Sequence, residues 1–355
     1  MDASAHSPAP PAWRRALTWS AVVVAIAYPV ALGVVILALR FVGERWWFTL
    51  AVLYLPRAGF AIPLPFVLAA IWRWAPRWLF ALQAVSLYLL LVPLMGFTLA
   101  FPAPAAPGGA TVRIVTYNIG KAGRRLPDAI AQIQRFAPDI VAVQSVYPGD
   151  EPALKAAFEG WHVHADSQFL TASRFAIREV SIPPPLQYAA GTGGARYVRL
   201  TLDTPVGLVD VFNVHATSPR EGLDALREGG VARSFLSGRM FDPTTTQFIE
   251  NNAYRRGRQI AGMAEAARAS RNAVVIAGDT NLPGLSRIYA EHLSAFRDSF
   301  DAAGRGLGYT FPASHPWMRI DRVLTNSRLR PVDSRVGLSV AAEHLCVFAE
   351  IAADR

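Results

Sequence analysis

The hydrophobic pattern changes character near residue 100. Before it, residues 16–39 and 78–100 form uncharged runs of 24 and 23 residues. Each exceeds the roughly 20 residues that cross a ~30 Å hydrocarbon core. Between them lies a 15-residue apolar run, 58–72, preceded by Arg57. The pattern predicts a membrane region over 1–100 with three spans, about 16–39, 54–73 and 78–100. A buried hairpin of a water-soluble protein is the alternative, and two uncharged runs of this length weigh against it. Residues 101–110 (FPAPAAPGGA) read as a semi-rigid Pro/Ala/Gly spacer. From 111 to 355 short apolar runs alternate with amphipathic segments. Strands are predicted over 111–117, 139–143, 207–214, 273–277, 320–324 and 346–351, and helices over 127–136 and 252–269.

Composition sharpens this division. Only 17% of the 355 residues are charged, against roughly 25% in ordinary soluble chains. Residues 1–110 hold seven Arg, one Asp and one Glu, so the formal net charge of +9 splits into +5 before residue 111 and +4 after it. The C-terminal part is therefore only mildly basic, and no broad nucleic-acid binding is expected of it. Seven of the nine Trp precede residue 80 and flank the apolar runs, as interfacial anchors do. Arg14 and Arg15 before the first run suggest a cytoplasmic N-terminus. With three spans this predicts a multi-pass protein of the cell membrane with its C-terminal domain outside the cytoplasm. The single cysteine, Cys346, excludes an internal disulfide framework and a cysteine-built zinc site.

Polar residues of ligand type recur at the predicted strand ends: Asn118, Gln144, His215, Asp279, Asn281, Asp321 and His344. Each alone reads as a turn or capping residue. Strands of one sheet system can bring such ends together, so the set points to one site. The long connection 218–251 carries Phe235, Leu236, Met240, Phe241 and Phe248. It reads either as a lid or membrane-facing loop or as a small local helix.

Six segments, in order, resemble the endonuclease/exonuclease/phosphatase superfamily with its deoxyribonuclease-I-like fold. They are VTYNI (115–119), PDIVAVQSV (138–146), VFNVHATSP (211–219), VVIAGDTN (274–281) preceded by RGRQI (256–260), TFPASHPWMRIDRVL (310–324) and AEHLCV (342–347). The resemblance implies an α+β fold: a four-layer αββα sandwich of two packed mixed β-sheets, here preceded by the three-helix transmembrane region. It also implies phosphoester hydrolysis assisted by Mg²⁺ or Mn²⁺. Asn118 would help hold the metal. Asp279 would orient or deprotonate water, and Asn281 would donate to a phosphoryl oxygen. His215 would act as phosphate donor or acid, and His344 would contact phosphate or act as base, its ring oriented by Asp321. Apart from the resemblance, Arg256 and Arg258 belong to an Arg run that reads either as a solvated helix face or as a contact for an anionic head group, and with Gln144 they are the expected substrate-binding residues.

Two positions depart from the family pattern. Ser145 stands where the family has its metal-binding Glu, and Glu343 stands where it has Asp. A hydroxyl is a poor replacement for a carboxylate on Mg²⁺, so Glu343 is the expected substitute ligand. The expected function is a membrane-anchored, metal-dependent phosphodiesterase or phosphatase. Its partners would be the lipid bilayer and a phosphate ester, possibly lipid-linked. A membrane-held nuclease and a non-catalytic binding module are the alternatives, the latter resting on Ser145.

Overall fold

Runs rich in Val and Ile set the strands of the C-terminal part. In Ile140–Gln144 and Ala273–Asp279 every residue is buried. Strands covered on both faces show no alternation, which is why these segments read as continuous apolar runs. The computed structural model describes residues 11–102, 108–188, 191–227, 241–338 and 340–354. The chain divides into two compact units, one of Met1–Ala38 with Pro56–Gly96, the other of Leu39–Leu55 with Phe97–Arg355.

The second unit contains two six-stranded mixed sheets. The strands of the first are β1 (Thr111–Asn118), β2 (Ile140–Gln144), β3 (His162–Asp166), β4 (Phe169–Ser173), β11 (Leu329–Val336) and β12 (Val347–Ala353), in the order β11-β12-β1-β2-β4-β3. Those of the second are β5 (Ile177–Ser181), β6 (Tyr197–Thr204), β7 (Gly207–His215), β8 (Ala273–Asp279), β9 (Arg297–Asp298) and β10 (Asp321–Thr325), in the order β9-β10-β8-β7-β6-β5. Each sheet has one parallel pair, β1 with β2 and β7 with β8, and the remaining pairs are antiparallel.

Val112, Ile114 and Ile140 of the first sheet meet Leu200, Val211 and Val275 of the second in a core between them. The outer face of the first sheet is covered by Leu126, Ala129 and Ile133 of the helix Leu126–Arg135. That of the second is covered by Ile260, Met263 and Ala267 of the helix Pro243–Ala269. The four-layer arrangement follows from these three apolar interfaces. Each fully buried Ile or Val contributes about 1.5–3 kcal/mol.

The first unit departs from the three-span expectation. Among the described residues, one helical stretch, Ala12–Arg45, has the length and apolarity to cross a membrane. The second expected span is broken: Trp47–Leu53 and Arg57–Trp74 are separate helical stretches, the former in the second unit. The third, Leu79–Leu94, has fewer residues than a ~30 Å core requires. Beyond it, Thr98–Leu99 pairs antiparallel with Arg305–Gly306 within the second unit. The orientation inferred from three crossings loses its basis. Within the first unit, polar groups are satisfied internally: Tyr28 donates to the Phe60 carbonyl (2.8 Å), Gln83 to that of Ala25 (2.9 Å) and Arg57 to that of Leu94 (2.7 Å). Most of the 101–110 spacer (103–107) lies outside the described residues, as do Phe235, Leu236 and Met240 of the long connection. The described ends of that connection form helices, Arg220–Arg227 and the start of Pro243–Ala269.

Candidate active site

Strand register builds the site. In the second sheet His215 pairs with Asp279 at the end of the parallel β7/β8 ladder, and Asp279 pairs with Asp321 at the start of β10. Three chemically active side chains thus occupy one row across three neighbouring strands. In the first sheet Asn118 ends β1 opposite Gln144. The Asn118 amide crosses between the sheets, donating from Nδ2 to Asp279 Oδ2 at 2.9 Å, while its Oδ1 accepts from the Gly120 N–H at 3.0 Å. The second bond fixes which way the amide faces.

His344 completes the row. Its Nδ1 lies 2.9 Å from Asp321 Oδ2, its Nε2 lies 3.3 Å from Asn118 Nδ2 and 3.8 Å from Asp279 Oδ2, and its ring packs against Phe311. Burial opposes charge on His344, but the Asp321 and Asp279 carboxylates outweigh it and raise the imidazole to about 9. Nδ1–H therefore donates to Asp321, and the protonated ring directs Nε2–H toward Asp279. Asp279 is 1% exposed. Burial, and then the charge of Asp321, raise its carboxyl to about 7.

His215 behaves differently. Burial, followed by the charges of His344 and Arg196, lowers its pKa to about 4. It is neutral at physiological pH, which does not suit the acid role considered for it. Gln168 Oε1 sits 2.6 Å from its Nδ1, so Nδ1 carries the proton and Nε2, 3.7 Å from Asp279 Oδ2, is the acceptor. Ser145 adopts a left-handed conformation (φ 59°), with Oγ 3.5 Å from His215 Nδ1. Asn281 uses its amide hydrogens on the Ala216 carbonyl (2.9 Å) and Asp279 Oδ2 (3.3 Å), and its backbone N–H donates to Asp279 Oδ1 (2.8 Å). It holds Asp279 rather than offering a free donor to substrate.

Four expected site residues lie elsewhere or are otherwise engaged. Gln144 is fully buried and donates to Thr116, Ala142 and Asn213 in a polar seam between the sheets. Arg256 is equally buried, donating to the Thr217 carbonyl and Asn252 with its guanidinium over the Tyr54 ring. Arg258 bonds the Tyr254 hydroxyl and lines a separate groove. Neither its sequence neighbourhood nor that of Arg256 reveals which way the side chain points. Glu343 does line the cleft, but its two oxygens face Lys121 (2.7 Å) and Arg220 (3.2 Å). Burial works to raise its carboxyl, and the two cations outweigh this and hold it below its ordinary value. A carboxylate already shared by two cations is poorly placed to hold a third, so the substitute-ligand expectation is not supported by the geometry.

Asp279, His215 and His344 open into a cleft of about 480 Å³, lined also by Tyr54, Phe311, Trp317 and Met318 and by Lys121 and Arg220, the Arg220 guanidinium lying over the Phe311 ring. Sequence reasoning missed Gln168, Tyr54, Lys121, Arg220 and Trp317. Gln168 and Lys121 sit in turns, Arg220 starts a helix and Tyr54 lies in the N-terminal third, all outside the quoted motifs, while Trp317 lies within the 310–324 segment but was not singled out there.

The donor set suits a hard divalent cation. Ligand atoms of Asp279, Asp321 and His344 all lie within 4.8 Å of one another, and all three residues are buried. Asp321 Oδ1 is buried with no hydrogen-bond partner. An unpartnered carboxylate oxygen in a buried site is costly unless a cation or donor meets it. With Asp279 ionised, above its raised value of about 7, the two carboxylates exceed the single imidazolium by one negative charge.

No curated protein sequence matches the chain significantly. Among solved structures, a humanized D. rerio TDP2 aligns at 14% identity over 68% of this chain and 98% of that one, with a TM-score of 0.50. An endonuclease/exonuclease/phosphatase family protein from Bacteroides thetaiotaomicron aligns at 15% identity over 68% and 95%, also at 0.50. One from Leptotrichia buccalis aligns at 14% identity over 68% and 99%, again at 0.50. At these identities the likeness concerns the fold. The model of the Endonuclease/Exonuclease/phosphatase family matches residues 115–343, well over half of the sequence. With that match, the two packed mixed sheets and the converging strand ends, the chain belongs to the endonuclease/exonuclease/phosphatase family.

Proposed function

We propose that this protein is a membrane-anchored phosphoester hydrolase, assisted by Mg²⁺ or Mn²⁺, whose substrate has an apolar alcohol portion. The observation that carries the reading is the buried row His215–Asp279–Asp321 with His344 and Asn118 closed over it. Asp279, raised to about 7, is suited to accept a proton from attacking water near neutral pH. His344, protonated and held by Asp321, is suited to donate Nε2–H to a phosphoryl or leaving oxygen. Asn118 and Asn281 orient Asp279 between them. Asp279 and Asp321 are the residues that would hold a divalent cation, which when bound supplies charge stabilisation to the phosphoryl oxygens.

Two features support the membrane and substrate parts of the reading. Trp19, Val23, Val30 and Val34 of the helix Ala12–Leu37 are each more than half exposed. Their spacing places them along one face, a stripe better suited to lipid than to water. The aromatic wall of the cleft is suited to an alkyl or aryl alcohol rather than to the anionic path of a nucleic acid.

The test uses the full chain in detergent with Mn²⁺ or Mg²⁺, offered p-nitrophenyl phosphate, bis(p-nitrophenyl) phosphate, a long-chain alkyl phosphate and DNA. Hydrolysis that a chelator abolishes, with the alkyl ester preferred to DNA, is expected. Ser145 favours a second reading, a binding module of the same fold. Absence of hydrolysis of every ester at saturating metal would select it.

A further inference from the structure

We propose that Tyr54, contributed by the segment ahead of the family domain, is a positioning residue of the active site. It holds the Asn281 turn and, through it, Asp279. The inference rests on the phosphoesterase reading for its kinetic consequence, but its geometry stands independently.

The segment Leu39–Leu55 belongs to the same compact unit as the sheets, although it lies between stretches of the other unit in sequence. It is fastened at several points. The buried carboxylate of Glu44 accepts from the Ser286 hydroxyl and from the Arg287 N–H (3.0 Å). The Trp47 N–H donates to Glu250 (3.2 Å), and the Trp47 ring meets Phe241 edge-on at 5.7 Å. At the end of this segment Tyr54 is 7% exposed. Its hydroxyl donates to the Asn281 carbonyl at 2.8 Å, its own carbonyl accepts from Trp317 Nε1 at 3.3 Å, and the Arg256 guanidinium lies over its ring.

The residue that Tyr54 grips is an unusual one. Asn281 sits at φ 52°, in the left-handed region that non-glycine residues enter at a cost. Such a conformation persists where the surroundings hold it. Asn281 also supplies two of the donors to Asp279, one to each oxygen. The relay therefore runs from the Tyr54 phenol to the Asn281 backbone to the Asp279 carboxylate. The family match begins at residue 115, so Tyr54 lies outside the part of the chain in which family comparison locates site residues. Removing one hydroxyl should leave the wall and the Arg256 stacking in place while loosening the turn.

The experiment compares full-length wild type, Tyr54→Phe and Trp317→Phe, with Tyr28→Phe as control. Tyr28 makes a matched phenol-to-carbonyl bond, to Phe60 at 2.8 Å, within the other unit. Two quantities are read: amide hydrogen exchange of residues 280–284, and kcat and KM on bis(p-nitrophenyl) phosphate. Tyr54→Phe should speed exchange at 280–284 and lower kcat about ten-fold with KM within about two-fold, since a misplaced catalytic group costs turnover more than binding. Trp317→Phe, which removes the donor to the Tyr54 carbonyl, should speed exchange at 280–284 to a smaller extent, and Tyr28→Phe should change neither quantity. A residue that only stabilised the fold would lower the melting temperature without moving kcat per folded molecule. Wild-type exchange at 280–284 in Tyr54→Phe overturns the proposal, and so does wild-type kcat. If wild type itself hydrolyses nothing, the phosphoesterase reading fails, and the exchange measurement still decides whether Tyr54 holds the turn.

Discussion

At His344, burial works against charge and two carboxylates work for it. The outcome, an imidazole raised to about 9, depends above all on Asp321, 2.9 Å away. Asp321→Asn should lower turnover at least about 10²-fold, the scale of a lost acid–base group. His344→Ala should do likewise, and the double variant should add little, because groups acting as one unit are non-additive. Additive losses in kcat would show that the two do not act together. The same pair ties stability to pH in chelated protein. A histidine raised from 6.5 to about 9 on folding contributes stability that is fully present below about pH 6.5 and is lost as pH rises through about 9. Asp279, raised to about 7, acts in the same direction over a lower window, its contribution lost as pH rises from about 4 through about 7. Thermal unfolding should therefore show a falling melting temperature from about pH 6 to about pH 10. Asp321→Asn should flatten the upper part of that slope.

At the scale of the element, the parallel β7/β8 pair delivers His215 and Asp279 side by side, and one glycine permits it. Gly278, at φ +148°, lies against the Val214 carbonyl so closely that a Cβ would collide with that backbone. A backbone obstacle cannot rotate aside as a flexible side chain can. Gly278→Ala should force the strands apart one residue before the His215–Asp279–Asp321 row, with a loss of about 2 kcal/mol or more in stability. Activity should fall further than the unfolded fraction explains. Denaturant unfolding with parallel kinetics checks this, and a fully active, equally stable variant would refute the close-packing argument.

For the whole molecule, the boundary between the two compact units does not follow composition. Leu39–Leu55, apolar enough to be read partly as membrane, is part of the unit that carries the two sheets. In the proposed membrane-anchored reading, the anchor is the helix Ala12–Leu37 with its exposed stripe. Val23→Lys with Val30→Lys should release the protein from the membrane fraction after alkaline carbonate extraction, since each central Lys costs about 2.5–3.5 kcal/mol in a spanning helix. Wild type should stay bound. Retention of the double variant would place the anchor elsewhere.

What the sequence determined by itself was local. Period and apolarity identified the strands that end at Asn118, His215 and Asp279, because a strand buried on both faces needs an unbroken Val/Ile run and a polar residue marks where it leaves the core. Motif order indicated the family. Three kinds of fact depended on the tertiary structure. Side-chain direction was one: Gln144 and Arg256 look like site residues in the sequence but point into buried polar seams, and nothing within a few residues of either fixes which face it takes. Chain path was another: hydropathy registers apolarity, not whether lipid or protein satisfies it, so the breaks after Leu53 and Leu94 stayed hidden. Long-range partnership was the third. Tyr54 meets Asn281 across 227 positions of sequence, and Glu343 meets Lys121 across 222. Such contacts arise only when packing brings distant segments together, because no local preference of either residue encodes its partner.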